Sequence, residues 1–314
     1  MGRYVIRRLL QLVPVLIGIS LVSFTLMYVA PGDPALMMLT STGQAPTPDL
    51  LAATRASMGL DRPFLARYAS WAAGVLTGDL GYSFLYNAPV AQVLAARLPV
   101  TLALSVASLA VVVAVSVPLG IAAALHRGRA ADYAVQVLAY FSLAMPTFWL
   151  GLILIYVFAL ELRWLPAISN SAAAVGYVLP VVALSFSYIG RLTGQVRADV
   201  VSELGKPYIT GLVSRGVPAR RVIWRHAVRN ALLPSLTVTG LAFGAMLSGS
   251  ITTEMVFSLQ GLGALSVQAV LARDYALVQA YVLITAVAFV AVNLACDLLY
   301  HALNPRVRLG GDPR

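Results

Sequence analysis

The chain has 314 residues, of which 60% are apolar and only 11% charged, where ordinary soluble domains carry roughly 25% charged residues. So few charges cannot cover a water-soluble surface of this size, so much of the surface must face something other than water. The net charge of +10 would suit a nucleic-acid binder, but the basic residues cluster between long apolar runs, and the single cysteine, Cys296, excludes an intramolecular disulfide.

These features describe a membrane protein. A bilayer core about 30 Å thick needs roughly 20 apolar residues as helix. In chain order, spanning helices are predicted near 9–30, 100–125, 134–160, 174–194, 231–253 and 276–299. Pro118, Pro146, Pro180 and Pro234 fall within or at the ends of these spans. They predict kinks rather than breaks, because neighbouring helices or waters satisfy the freed backbone groups. The first run follows Arg3, Arg7 and Arg8. It is far longer than the roughly 7–15 residues of a signal core, so it reads as a retained helix.

After the first span, Asp33 to Arg97 carries recurrent charge and cannot cross. Turn signals at Pro46, Pro48, Gly78-Asp79, Gly81 and Pro89 separate short helical patterns over Leu50–Met58, Phe64–Leu76 and Val90–Ala96. A loop of this length with helices of its own reads either as functional or as a passive lid at the interface. A second long connection, Arg197 to Arg229, holds seven basic residues with Asp199 and Glu203. Within it Tyr208, Ile209, Leu212, Val213 and Val217 recur at helical spacing, and Gly216 and Pro218 follow as terminators. The pattern predicts a short amphipathic helix at the end of two membrane helices, placed to transmit force. The alternative is a basic loop resting on anionic headgroups.

The basic residues also set the orientation. With the amino terminus inside, sixteen of the 22 Lys and Arg residues lie in inside segments, while six face seven acidic residues outside. The positive-inside rule selects this topology, with both termini cytoplasmic. The net charge then needs no nucleic acid to account for it.

Energy-coupling chemistry is missing. There is no phosphate-binding loop, since Gly205-Lys206-Pro207 lacks the glycine spacing and the hydroxyl that such a loop needs. A nucleophile elbow and a zinc-binding histidine pair are also absent. Arg191, Glu254 and Asp297 sit at predicted span ends rather than in mid-bilayer, whereas ion-coupled transporters need intramembrane ionisable groups. An intramembrane enzyme built on Asp297, Glu254 and His226 would need three groups that the topology puts at different faces of the membrane. A stand-alone channel would conduct without partners. The reading that remains is a conduit driven from another subunit.

The motifs carry a family resemblance from end to end. They begin with Arg3-Tyr4, Arg7-Arg8-Leu9-Leu10, Pro31-Gly32-Asp33-Pro34 and Gly59-Leu60-Asp61-Arg62-Pro63. Next come Gly78-Asp79-Leu80-Gly81, Arg97-Leu98-Pro99-Val100-Thr101-Leu102, Pro146-Thr147-Phe148 and Trp164-Leu165-Pro166. His226-Ala227, Arg229-Asn230-Ala231-Leu232-Leu233-Pro234, Gly261-Leu262-Gly263, Arg273-Asp274-Tyr275 and Asn304-Pro305-Arg306 complete the series. In this order and spacing the chain resembles the permease subunits of ABC importers of the dipeptide/oligopeptide/nickel type, the first of the two permeases such systems encode.

The resemblance implies an all-α membrane protein of six transmembrane helices in the type I ABC importer fold, with a large extracytoplasmic loop between helices 1 and 2. It divides the chain into 1–32 (amino-terminal segment and first span), 33–97 (outer loop subdomain) and 98–314 (permease core, with a cytoplasmic coupling loop over 197–229). It implies a non-catalytic subunit of the bacterial inner membrane that binds no cofactor or metal, ATP and Mg being held by partner ATPases. The implied partners are a second homologous permease, two ATPase subunits, an extracytoplasmic substrate-binding protein and membrane lipid, with no nucleic acid. Peptides are the implied cargo, with nickel chelates, glutathione-like peptides or opines as alternatives. A coupling helix that docks on the ATPase is implied at Tyr208, Ile209, Thr210, Gly211, Leu212, Val213, Ser214, Arg215, Gly216 and Val217. Where the family usually reads Thr-Ala-Arg-Ala-Lys-Gly, this chain reads Gly211-Leu212-Val213-Ser214-Arg215-Gly216. Ile209, Leu212 and Val213 are expected to enter the partner groove, and Gly216 to permit close approach or a positive φ.

Overall fold

A computed structural model describes residues 2–30, 32–41, 43, 45–169 and 173–303. Pro31, Asn304, Pro305, Arg306 and the residues after them lie outside the described residues. Helix dominates, as the composition requires of a chain that must satisfy its backbone inside lipid. The departure from all-α among the described residues is a two-stranded antiparallel ladder, β1 (Tyr82–Ser83) with β2 (Ala88–Pro89), in which Tyr82 pairs with Pro89 and Ser83 with Ala88.

Among the described residues four helical stretches are long and apolar enough to cross a membrane: Val90–Leu125, Ala174–Leu204, Ala219–Ser248 and Tyr275–Leu299. Two further helix pairs, each bent at a short break, pass the same test together. One is Val13–Val29 with Pro34–Thr40, at 70°, and the other is Ala130–Ala144 with Thr147–Glu161, at 99°. The second bend corrects the expectation of a mere kink at Pro146. Met145 is extended, with φ −79° and ψ 121°, as a residue before proline prefers, and the helix restarts at Thr147. Pro118 and Pro234, by contrast, sit inside unbroken helices.

The described residues divide into two compact units, one within 2–101 and 260–290, the other within 102–259 and 291–303. The first contains α1 (Gly2–Val29), α2 (Pro34–Ser41), α3 (Pro48–Ser57), α4 (Phe64–Leu76), the ladder, and the opening turns of α5 (Val90–Leu125). The three helical patterns expected between residues 50 and 96 therefore appear as α3, α4 and the start of α5. Thr47 caps α3 by accepting the Leu50 N–H at 3.4 Å, with Pro48 at the first helical position and Asp49 in the first turn. Further along the chain, α13 (Leu262–Leu271) and the first half of α14 (Tyr275–Leu303) complete this unit.

Its core joins Val90, Val93 and Leu94 of α5 to Leu262, Leu265 and Ala269 of α13 and to Leu277, Val278 and Ala280 of α14. Buried Asp274 fixes the loop onto this core. Its Oδ1 accepts the Leu277 N–H at 3.2 Å, capping α14, while Oδ2 accepts the Ser83 hydroxyl at 2.5 Å and the Leu85 N–H at 3.3 Å. Phe24 of α1 meets Phe64, Tyr68 and Trp71 of α4, with ring centroids 5.5–5.9 Å apart.

The second unit is organised around α8 (Val178–Leu204), which packs on α6 (Ala130–Ala144), α7 (Thr147–Leu154) and α11 (Arg229–Gly249). Small residues and hydroxyls permit the approach, as they do between membrane helices generally. A Cβ at Gly190 would stand 2.3 Å from the Ala139 carbonyl oxygen, and one at Gly120 would stand 2.7 Å from Val196. Ser116 and Ser185 donate across to the Ile189 and Ser108 carbonyls at 3.1 and 3.2 Å. Asp132, 1% exposed, receives Arg197 in a fork of 2.5 and 2.8 Å, which ties the start of α6 to α8.

Candidate coupling site

The connection expected over 197–229 proves to be mostly helix. Residues through Leu204 belong to α8, α9 runs Pro207–Ser214, and α10 (Ala219–Arg221) leads through a π-helical stretch, Val222–Val228, into α11. Only residues 205–206 and 215–218 are non-helical. Proline at the first position of α9, after extended Lys206 (φ −76°, ψ 146°), starts the helix where a missing N–H costs nothing.

Its end is a Schellman turn. The Val217 N–H donates to the Leu212 carbonyl at 3.1 Å and the Gly216 N–H to the Val213 carbonyl at 2.9 Å, with Gly216 at φ +75°. A Cβ on Gly216 would meet nothing within 4 Å. The left-handed backbone expected of this glycine is present.

The ten predicted residues separate into two faces. Ile209 is 6% exposed and forms a small core with Val222 and Ala227, joined by half-buried Tyr208, Leu212 and Val217. Thr210, Gly211, Val213, Ser214, Arg215 and Gly216 are exposed, Val213 at 59%. Ile209 and Leu212 thus turn toward their own chain, and Val213 is left as the outward apolar side chain of the three expected to enter a groove. The reason is stereochemical. Leu212 and Val213 stand about 100° apart around the helix, to either side of Ile209, and a helix of eight residues that is covalently returned upon itself buries the side facing its own return arm.

Polar contacts hold this tip rigidly between its two arms. The Tyr208 hydroxyl donates to Glu203 Oε1 at 2.6 Å and accepts from Asn230 Nδ2 at 3.2 Å, and so links the end of α8, α9 and the start of α11. Lys206 pairs with Glu203, which is 6% exposed. One step further up, Ser235 of α11 donates to Asp199 of α8 at 2.8 Å.

Beside α9 lies a shallow cleft lined by Pro218, Arg220, Arg221, Trp224 and Arg225, all exposed. In the sequence these arginines register only as charge. The signal that marks them as a surface is the spacing of Arg221, Trp224 and Arg225 along one face of the return arm. Glu203, Lys206 and Asn230 were likewise not among the expected residues, because their part is to pin Tyr208 rather than to face outward. Among the described residues no group of three His, Cys, Asp or Glu side chains is disposed to hold a metal.

The family described as "Binding-protein-dependent transport system inner membrane component" matches residues 116–309, and its companion "Binding-prot-dependent transport system membrane comp, N-term" matches residues 1–105. A Brucella abortus protein named as a peptide transport system permease is 35% identical, the alignment covering 98% of this chain and 99% of that one. The glutathione transport system permease protein GsiC of Escherichia coli K12 is 36% identical over 98% of this chain and 99% of its own. A solved structure described as an amino acid ABC transporter with histidines overlays 69% of this chain and 94% of its own, at 17% identity and a TM-score of 0.49.

Proposed function

The chain belongs to the family of inner membrane components of binding-protein-dependent transport systems, and on that premise we propose that it is the permease subunit of an ABC importer that carries short peptides. It is a multi-pass protein of the inner membrane and a transport component rather than a catalytic subunit. Relatives named for peptide transport, matched over nearly their whole length, support the choice of cargo. The relatives named as glutathione permeases favour glutathione-like peptides as the second substrate reading.

In this reading each bent helix pair makes one span, six in all, with both termini cytoplasmic and residues 33–97 outside, facing a substrate-binding protein. The pathway runs between this chain and a second, homologous permease. Two ATPase subunits lie beneath, and α9 with the turn after it, Tyr208 to Val217, docks on one of them. ATP binding draws the ATPases together, and the two coupling helices move with them. The permeases turn from inward-open to outward-open, the binding protein delivers its peptide, and hydrolysis resets the pair. Nucleotide can drive this cycle because the two conformations bind it with different affinity.

The observation that carries the coupling role is the pinned helix with an outward Val213 beside an arginine-lined cleft. A push on α9 passes to α8 through Glu203 and to α11 through Asn230, not into a slack loop. The test is Val213→Asp together with Gly211→Arg, both on the exposed face. Each should reduce co-purification of the ATPase and peptide uptake at least tenfold, while membrane insertion and thermal midpoint stay unchanged; tenfold corresponds to about 1.4 kcal/mol of docking energy. Retention of both activities would remove α9 from the coupling role.

A further inference from the structure

The first unit contains a cavity of about 350 Å³ that no part of the coupling scheme uses, a size at which ligand pockets begin. Arg62, Arg67, Trp71, Tyr275 and Gln279 line it, with Phe24 and Phe84 as apolar wall. Buried polar atoms are nearly always hydrogen-bonded. Here Trp71 Nε1 and the Tyr275 hydroxyl are buried without a partner among the described residues. Gln279 is 8% exposed and its amide makes no hydrogen bond among the described residues. Neither the Arg62 nor the Arg67 side chain has an ion pair or hydrogen bond among the described residues. The Arg67 guanidinium carbon lies 5.3 Å from the Tyr28 ring centroid, which holds it in place without neutralising it.

The one carboxylate in the lining is Asp274, fully buried and already accepting from Ser83, Leu85 and Leu277. What is left to face an occupant is a set of donors. Arginine and the indole N–H can only donate, and the phenol and the amide can do so. Charged donors of this kind match an acceptor-only oxyanion, held by charge-assisted hydrogen bonds. The aromatic wall suits an apolar body attached to it.

We propose that this cavity is a binding site for an amphipathic oxyanion, a carboxylate or phosphate held by Arg62 and Arg67 with its apolar portion against Phe24, Trp71 and Phe84. The same chemistry has two sources. One is the terminal carboxylate of a short apolar peptide in solution. The other is the phosphate of an anionic lipid headgroup, reached because α1 and α14 both contribute to the wall.

The experiment uses the full chain in phosphatidylcholine nanodiscs and reads tryptophan fluorescence, with Trp71→Phe assigning the signal among four tryptophans. One arm titrates alanyl-phenylalanine and its carboxyl-terminal amide. The other raises the phosphatidylglycerol fraction of the disc. A saturable change in the first arm that the amide does not produce identifies the soluble carboxylate, and a saturable change in the second identifies the headgroup. In either case the change should vanish in Trp71→Phe, and Arg62→Gln with Arg67→Gln should weaken binding at least tenfold. Calorimetric titration of the wild type and the arginine pair, matched for thermal midpoint, gives the same comparison without the fluorophore. The proposal is overturned if neither arm saturates, if the change persists in Trp71→Phe, or if the arginine pair binds as the wild type does.

Discussion

Three glycines make different demands on the backbone, and each demand predicts a different outcome. Gly216 holds a left-handed φ of +75° in open space, so Gly216→Ala should cost about 1–2 kcal/mol through backbone strain alone. Gly211 is helical and nothing lies within 4 Å of its missing Cβ; Gly211→Ala should therefore be neutral or stabilise by up to about 1 kcal/mol. Limited proteolysis of the 205–218 tip, faster in the first variant and unchanged or slower in the second, distinguishes the two. Gly190 is constrained by space: a Cβ there would come within 2.0 Å of Ser142 Oγ. Gly190→Ala should force α6 from α8 at a cost of about 1–3 kcal/mol, seen as a lowered thermal midpoint in detergent. The positive φ at Gly216 was foreseeable from a glycine at the end of an apolar period. The close approach at Gly190 was not, since nothing local in a sequence says which neighbour passes that point.

At the scale of elements, periodicity predicts that a helix forms, and the partner it meets decides which way it faces. Over 207–214 the apolar residues announce α9, yet only the fold shows Ile209 inside and Val213 outside. Ile209→Asp should therefore unfold the tip, because an unpaired carboxylate would replace a buried apolar side chain, whereas Val213→Asp leaves it intact; hydrogen exchange over 205–230 separates the two. The Asp132–Arg197 clamp joins residues 65 positions apart and left no mark in the sequence beyond two charges near span ends. Removing one partner of a buried pair strands the other charge, and Asp132→Asn should lower stability by about 3 kcal/mol, measured by thermal unfolding of the purified protein. Similarly, α13 lies between two predicted spans and is recognisable only once its Leu262, Leu265 and Ala269 are packed against α5 and α14. Pro146 shows a local rule at its limit: a proline permits a kink or a break, and the 99° turn here also depends on how α7 packs against α8.

For the molecule as a whole, helix length is the governing quantity. The 36 residues of α5 extend about 54 Å, well beyond a bilayer core of about 30 Å, and its first turns, Val90, Val93 and Leu94, belong to the first unit's core. The proposed topology predicts labelling from opposite sides. In a Cys296→Ser background, Arg215→Cys should react with an impermeant maleimide only from the cytoplasmic side and Asn87→Cys only from the outside. Reversed labelling would overturn the orientation and the coupling scheme with it. The amino-acid sequence by itself determined that this chain resides in a membrane, where its apolar runs lie and which segments are basic; each of these depends on residue type and local order. Tertiary structure decided which face of α9 is exposed, which charges pair, where the chain bends, and that donors unpaired among the described residues line one cavity. Those outcomes depend on distances between residues far apart along the chain, and such distances are fixed only when the helices pack.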